Sequence, residues 1–161
     1  MTLKMQDIAG VLIAVAACQL ADVLGVLASW SGLLNWYPYL QQPTFTPPGI
    51  VFSVVWTVLY TLLGIAAYLI FRLGWQRPDV RQALYLFTLQ IILNTLWSVL
   101  FFGAHAVFLS LLEMYVLWVV IAMTMLAFAK LSKPAMWLLV PYFLWVTFAS
   151  CINFAVWQLN T

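Results

Sequence analysis

The 161-residue chain is 66% hydrophobic and only 6% charged, with a mean hydropathy of +1.07. A soluble domain carries about a quarter of its residues as Asp, Glu, Lys or Arg, so that class is excluded. A net charge of +2, on too few charges and at the ends of apolar runs, offers nucleic acid no surface. The expectation is an all-α integral membrane protein, residues 1–161 forming one domain, a bundle of five transmembrane helices. The apolar runs fall at about 8–30, 49–71, 83–103, 106–129 and 134–158, against the roughly 20 residues needed to cross a bilayer.

The first run carries Ala17, Ala21 and Gly25, small residues at every fourth position, which marks a close-packing face for another helix. Asp22 lies on an adjacent face; an aspartate in the bilayer costs about 2.5–3.5 kcal/mol on insertion scales, so it should face the protein interior. Lys4 followed by Val15-Ala16-Ala17-Cys18 has the form of a lipoprotein cleavage site. The apolar run continues past Cys18 to Trp30, longer than a signal-peptide core, and this favours an uncleaved span. Cys18 and Cys151 both lie inside apolar runs and read as small packing residues.

The stretch 31–48 is the long break in the pattern. Four of the seven prolines, Pro38, Pro43, Pro47 and Pro48, stand in it among Trp36, Tyr37, Tyr39 and Phe45, with no charge. Proline fixes φ and pushes the preceding residue to extended geometry, so Pro43 and Pro47-Pro48 exclude a helix. A mobile linker would be rich in Gly and Ser. This stiff, aromatic loop reads as a lid over a cavity between helices.

The later runs supply candidates for that cavity. Trp56 and Tyr60 share a face of the second run. Gln90, Asn94 and Trp97 recur at i, i+4 and i+7 in the third. Glu113 is the buried acid of the fourth. Tyr142, Trp145, Ala149 and Ile152 line one face of the fifth, Pro141 frees a backbone carbonyl there, and Asn153 follows. At about 1.5 Å per residue, Asp22, Trp56, Asn94 and Glu113 lie roughly 9–12 Å below the outer helix ends. Trp30, Trp36 and Trp157 suit an outer interfacial belt and Trp75 and Trp137 an inner one, whereas Trp56, Trp118 and Trp145 sit too deep for a belt. Deep indoles beside an amide and an acid fit a pocket for a flat, mostly apolar ligand bearing a few polar groups. Asp22, Gln90, Glu113 and Asn153 would be its polar members. The bland alternative for the acids is a structural hydrogen bond to a helix or loop.

All the basic residues, Lys4, Arg72, Arg77, Arg81, Lys130 and Lys133, fall on one side of a five-span chain. Basic residues in short loops stay cytoplasmic, so the N-terminus is expected inside, with the lid and C-terminus outside. His105, at a turn, carries no assigned role. No Cys/His pair, metal cluster or phosphate loop appears, and no cofactor is called for.

Trp36-Tyr37, Leu40, Pro43, Thr46-Pro47-Pro48-Gly49, Trp56 and Tyr60 resemble the first loop and second helix of the TspO/MBR family, the tryptophan-rich sensory proteins and translocator proteins (peripheral-type benzodiazepine receptors). Asn94-Thr95-Leu96-Trp97-Ser98 with Phe101-Phe102-Gly103 is similar to the family's third helix, and Pro141-Tyr142-Phe143-Leu144-Trp145 with Asn153 to its fifth. The resemblance implies an outer-half pocket that binds porphyrins such as protoporphyrin IX and haem, sterols and benzodiazepine-receptor drugs. It implies a homodimer in the inner or plasma membrane, if the source is bacterial. Carried across, the ligand-lining residues are Trp36, Tyr37, Trp56, Asn94, Trp97, Tyr142 and Trp145, with Tyr60 beside them. Three functions stay open: a porphyrin receptor or transporter, a light-dependent porphyrin-degrading enzyme acting through Trp56 and Trp145, and a membrane sensor or scaffold. Phe45 stands where the family commonly has Trp, and Gln41-Gln42 where it has a charged pair. The family's cholesterol-recognition pattern requires a basic residue late in the fifth helix, and none follows Lys133.

Overall fold

The computed structural model describes residues 5–161, so Lys4 lies outside the described residues. Five helices follow one another: α1 (Met5–Asn35), α2 (Gly49–Phe71), α3 (Pro78–Ser98), α4 (Val107–Leu131) and α5 (Lys133–Leu159). All five are long and apolar enough to cross a membrane, α3 being counted to Gly103. The described residues contain no strand. Packing neighbours run α1–α2–α5–α4–α3 and back to α1, which closes the bundle. Pro78 and Pro134 each sit in the first turn of their helix, where a missing N–H costs nothing.

Each helix reverses direction, so the 36–48 loop, the α3–α4 turn and the C-terminus share one end, here called outer. Arg72, Arg77, Arg81, Lys130 and Lys133 gather at the other, inner end. There Arg72 lies 3.8 Å from Asp7, which also accepts from Tyr68 Oη at 2.8 Å.

The core divides along the bundle axis. The inner half is apolar: Leu63, Ala66, Ile70, Val80, Ala83 and Leu139 are fully buried, and Phe87 stacks on Phe128 with ring centroids 6.0 Å apart. The outer half is aromatic and polar, and it holds the candidate site.

Three expectations need correction. First, α1 continues to Asn35, so the non-helical lid begins at Trp36 rather than at residue 31, and α3 begins at Pro78 rather than at residue 83. Second, the packing stripe of α1 is Cys18, Gly25, Ser29 and Gly32, with Asp22 half-buried on the same line, whereas Ala17 is exposed. The close approaches belong to glycines: a Cβ at Gly32 would stand 1.6 Å from the Phe102 carbonyl oxygen, and one at Gly64 would stand 2.5 Å from the Val15 Cα. Third, the deep Trp118 lies on the outside of the bundle, donating to Thr147 Oγ1 at 2.9 Å.

Candidate functional site

The lid is pinned at three points. At its start, a 3-10 turn at Tyr37–Tyr39 presents two rings to the end of α3. The Trp36 indole stacks on the His105 imidazole at 4.3 Å and 15°, and Tyr37 meets Phe102 edge-on at 5.2 Å. Burial raises the Tyr37 phenol above its ordinary pKa. In the middle, Gln41 N–H donates to Asn160 Oδ1 at 3.0 Å while Gln41 C=O accepts from Asn160 Nδ2 at 2.9 Å. At its end, Phe45 lies over Phe148 at 6.3 Å.

The partner surface at the end of α3 has an unusual backbone. Val99–Gly103 is π-helical, and Ala104 N–H reaches back to the Val99 carbonyl at 2.8 Å. Single π turns inside helices recur at functional positions because the extra residue re-aims side chains. Here the segment carries Phe101 and Phe102, against which the lid packs. The chain then turns through His105 at φ 55, a left-handed conformation uncommon for residues other than Gly and entered more readily by Asn, Asp and His than by the rest.

Beneath the lid the expected residues form two groups. Trp36, Tyr37 and Trp97 belong with Phe101 and Phe102; Trp97 stacks on Phe101 at 5.3 Å. Trp56, Tyr60, Tyr142 and Trp145 belong together across α2 and α5, with Trp56 and Trp145 edge-to-face at 6.5 Å and Phe52 5.4 Å from Trp145. Trp36 and Tyr37 thus pack on the end of α3, while Phe45, through Phe148, is the lid ring above Trp145. The reason is geometric: the extended α1 delivers Trp36 beside α3, and the chain crosses to α2 past the end of α5.

The polar members also separate. Asn153 is consumed by a structural knot: its Oδ1 accepts from Trp97 Nε1 at 2.9 Å and from Ser110 Oγ at 3.2 Å, and its Nδ2 donates to the Val107 carbonyl at 3.1 Å. Asn94 Nδ2 donates to the Tyr60 hydroxyl. Asp22 is half-buried on α1, within electrostatic range of Tyr60. Gln90, Glu113, the Tyr142 hydroxyl and Trp145 Nε1 are buried without a hydrogen-bond partner.

Between α2 and α5 an apolar groove of about 540 Å³ opens outward, lined by Val54, Val58, Pro141, Leu144, Trp145 and Phe148. Trp145 therefore stands in the wall between groove and interior. Among the described residues no group of three His, Cys, Asp or Glu side chains could hold a metal ion. What the arrangement offers is stacking surface, with indole and phenol donors at its base.

Sequence reasoning gave no site role to Phe52, Phe148 and Asn160, nor to His105 and the Phe101-Phe102 pair that it did name. The phenylalanines are ordinary apolar residues in apolar runs. His105 and Asn160 act through contacts that are distant in sequence.

A five-helix membrane protein with an aromatic site under a proline-rich first loop matches one family. The chain belongs to the TspO/MBR family, whose profile covers residues 14–158. It is 43% identical to the tryptophan-rich protein TspO of Chlorobaculum tepidum, over 83% of this chain and 81% of that one. It is 37% identical to the tryptophan-rich sensory protein of Cereibacter sphaeroides, over 90% and 87%. It is 35% identical to the human translocator protein, over 79% and 76%.

Proposed function

We propose that this protein binds porphyrins such as protoporphyrin IX and haem, and related apolar ligands, in the outer-half aromatic site, as a membrane receptor or transporter. The observation that carries the reading is the meeting of Trp56 and Trp145 beneath a lid fastened at three points. A porphyrin offers a wide apolar face to indoles and carboxylates that belong near water, so its acid groups point to the outer mouth, away from Glu113 and Asp22. Sterols and benzodiazepine-receptor drugs are further ligands in this reading; the name of the human relative, translocator protein, supports its transport part alone. The reading includes a homodimer, and native mass spectrometry tests that part.

Protoporphyrin IX titrated into the purified protein should quench tryptophan fluorescence. Losing one buried aromatic contact is worth about 1–3 kcal/mol, so Trp145→Ala weakens binding about five- to hundredfold. Trp75→Ala, at the exposed inner rim, leaves it unchanged. Equal weakening by both variants would mean porphyrin adheres to the outside of the bundle.

The same titration run in light tests the enzymatic alternative, in which Trp56 and Trp145, edge-to-face at 6.5 Å, would take part. Light-dependent loss of bound porphyrin that requires Trp56 and Trp145 would make the protein an enzyme. Stable binding in light with flux across vesicles supports the transporter.

In this reading the outer end faces away from the cytoplasm, by the segregation of basic residues. In a Cys18→Ala, Cys151→Ala background, an impermeant maleimide added to intact cells should label Thr44→Cys and spare Gln76→Cys. The reverse pattern overturns the orientation.

A further inference from the structure

Gln90, Glu113 and Tyr142 come from three successive helices around the bundle and are 0%, 8% and 0% exposed. Both Gln90 amide atoms, both Glu113 carboxyl oxygens and the Tyr142 hydroxyl lack a hydrogen-bond partner. Native interiors pair nearly all such groups, and those without a protein partner are satisfied by ordered water or an ion. The site lies below the Trp97–Asn153–Ser110 knot. Glu113 is one turn of α4 below Ser110, and Gln90 is two turns of α3 below Trp97. Tyr142 rises from the α5 side within electrostatic range of both Glu113 and Tyr60.

The chemistry of the orphaned atoms selects the ligand. A bare metal cation would satisfy the oxygens and leave the Gln90 amide N–H groups unmet. Water both donates and accepts, and so meets all of them. Charge selects the second component. The described basic residues Arg72, Arg77, Arg81, Lys130 and Lys133 stand at the inner end, so Glu113 has no cationic side chain beside it. Tyr142 on α5 is the titratable group within electrostatic range of Glu113; Tyr60 on α2 adjoins Tyr142, Asp22 and Cys18 on α1 adjoin Tyr60, and α3 contributes the neutral Gln90 and Asn94. None supplies a positive charge.

We propose that Glu113, Gln90 and Tyr142 form a hydrated proton-binding site in the middle of the bundle, with a proton resident on the Glu113 carboxyl and a small water cluster bridging the three side chains. The step is a simple protonation: a proton from water joins one carboxylate oxygen and cancels its charge. Access is from the outer end only. Outward, one turn of α4 above Glu113, stands Ser110 with its bonded neighbours Asn153 and Trp97. Inward the path stops, because the Thr124 hydroxyl returns to its own Val120 carbonyl at 2.8 Å and the core beyond is Leu63, Ile70, Val80, Ala83 and Leu139. The site is therefore a dead end that senses outer pH, and it does not conduct protons across the membrane.

Glu113 is the sole glutamate of the chain, so carboxyl-¹³C glutamate reports on it without mutation. Infrared spectra of the labelled full chain in vesicles should show, at neutral pH, an isotope-shifted carboxylic-acid carbonyl band. That band should move in D2O, move again in Gln90→Leu and in Tyr142→Phe, and be absent from Glu113→Gln prepared with the same label. Raising external pH should convert it to the carboxylate band, whereas raising internal pH alone should not. A carboxylate band at neutral pH overturns the resident proton. A band indifferent to D2O and to both neighbouring substitutions overturns the hydrated site. Conversion by internal pH overturns the dead end. Porphyrin binding enters none of these readouts, so they stand apart from the aromatic-site titration.

Discussion

The inner and outer halves of this bundle are built from the same five helices and solve different problems. The inner half closes on itself: its large side chains are fully buried aliphatics and the Phe87–Phe128 stack, and its buried Thr124 hydroxyl is bonded to the Val120 carbonyl. From mid-bundle outward, Gln90, Glu113, Tyr142 and Trp145 keep unmet polar atoms. The outer half is fastened by individual side-chain contacts between lid and helix ends. In a bilayer, helices gain little from hiding apolar surface, since lipid is equally apolar, and association rests on close packing and interhelical hydrogen bonds. The inner half uses the first of these means. The outer half uses the second and keeps part of its bonding capacity unspent, which is the condition for binding something else.

The largest effect expected from breaking this contrast lies in the inner half. Phe128 is fully buried and stacked on Phe87. Phe128→Ala opens a cavity that well-packed neighbours cannot fill, at a cost of about 3–5 kcal/mol. Unfolding in mixed detergent should report that loss, while porphyrin affinity in the surviving folded fraction stays at its wild-type value. A weakened affinity with intact stability would mean the two halves are not separable.

A smaller effect belongs to the middle fastening of the lid. Asn160→Ala removes both hydrogen bonds to the Gln41 backbone. At this exposed position the pair is worth about 1 kcal/mol. Amide exchange at Gln41 should accelerate while α3 and α4 amides keep their rates. Unchanged exchange at Gln41 would show that the ring contacts alone hold the loop down.

The unequal visibility of the two halves in the sequence has the same origin. Helix existence follows from apolar run length: α2 spans the residues expected of it, α4 and α5 differ by one or two residues, and α3 starts five residues early, at Pro78, because its first turn carries Asp79 and Arg81 and is not apolar. The extension of α1 past residue 30 was hidden, because Ser31, Gly32 and Asn35 are turn formers, and the helix continues there through the close packing of Gly32 on Phe102. The faces of α3 and α5 were legible by period, as Gln90 with Asn94 and Tyr142 with Ala149 and Ile152 are buried. What periodicity cannot supply is the angular position of one helix beside another. That choice put Trp36 over His105 rather than over Trp145, and Asn153 into the knot at Trp97. The π-helical shift at Val99–Gly103 is likewise a tertiary outcome with no local signature in Val-Leu-Phe-Phe-Gly.

The smallest expected effect is also the most discriminating about how the lid is held. His105 does two things at once: its backbone takes φ 55, and its ring stacks on Trp36 at 4.3 Å. Asparagine tolerates the left-handed region because its short polar side chain bonds locally, whereas alanine there costs about 1–2 kcal/mol. His105→Asn therefore keeps the turn and removes the stack, and His105→Ala removes the stack and strains the turn. An aromatic pair is worth about 0.5–1.5 kcal/mol, and the lower end applies at this exposed site. The Tyr39 and Leu40 amides close the 3-10 turn on the Trp36 and Tyr37 carbonyls. In His105→Asn their exchange should quicken about two- to fivefold, the rate equivalent of about 0.5–1 kcal/mol, with global stability scarcely changed. In His105→Ala the same local change should appear together with a lowered unfolding midpoint. Identical midpoints for the two variants would mean that the strain at residue 105 is not paid in the folded protein. Unaltered exchange in both would mean that Phe101 and Phe102, without the imidazole, hold the start of the lid.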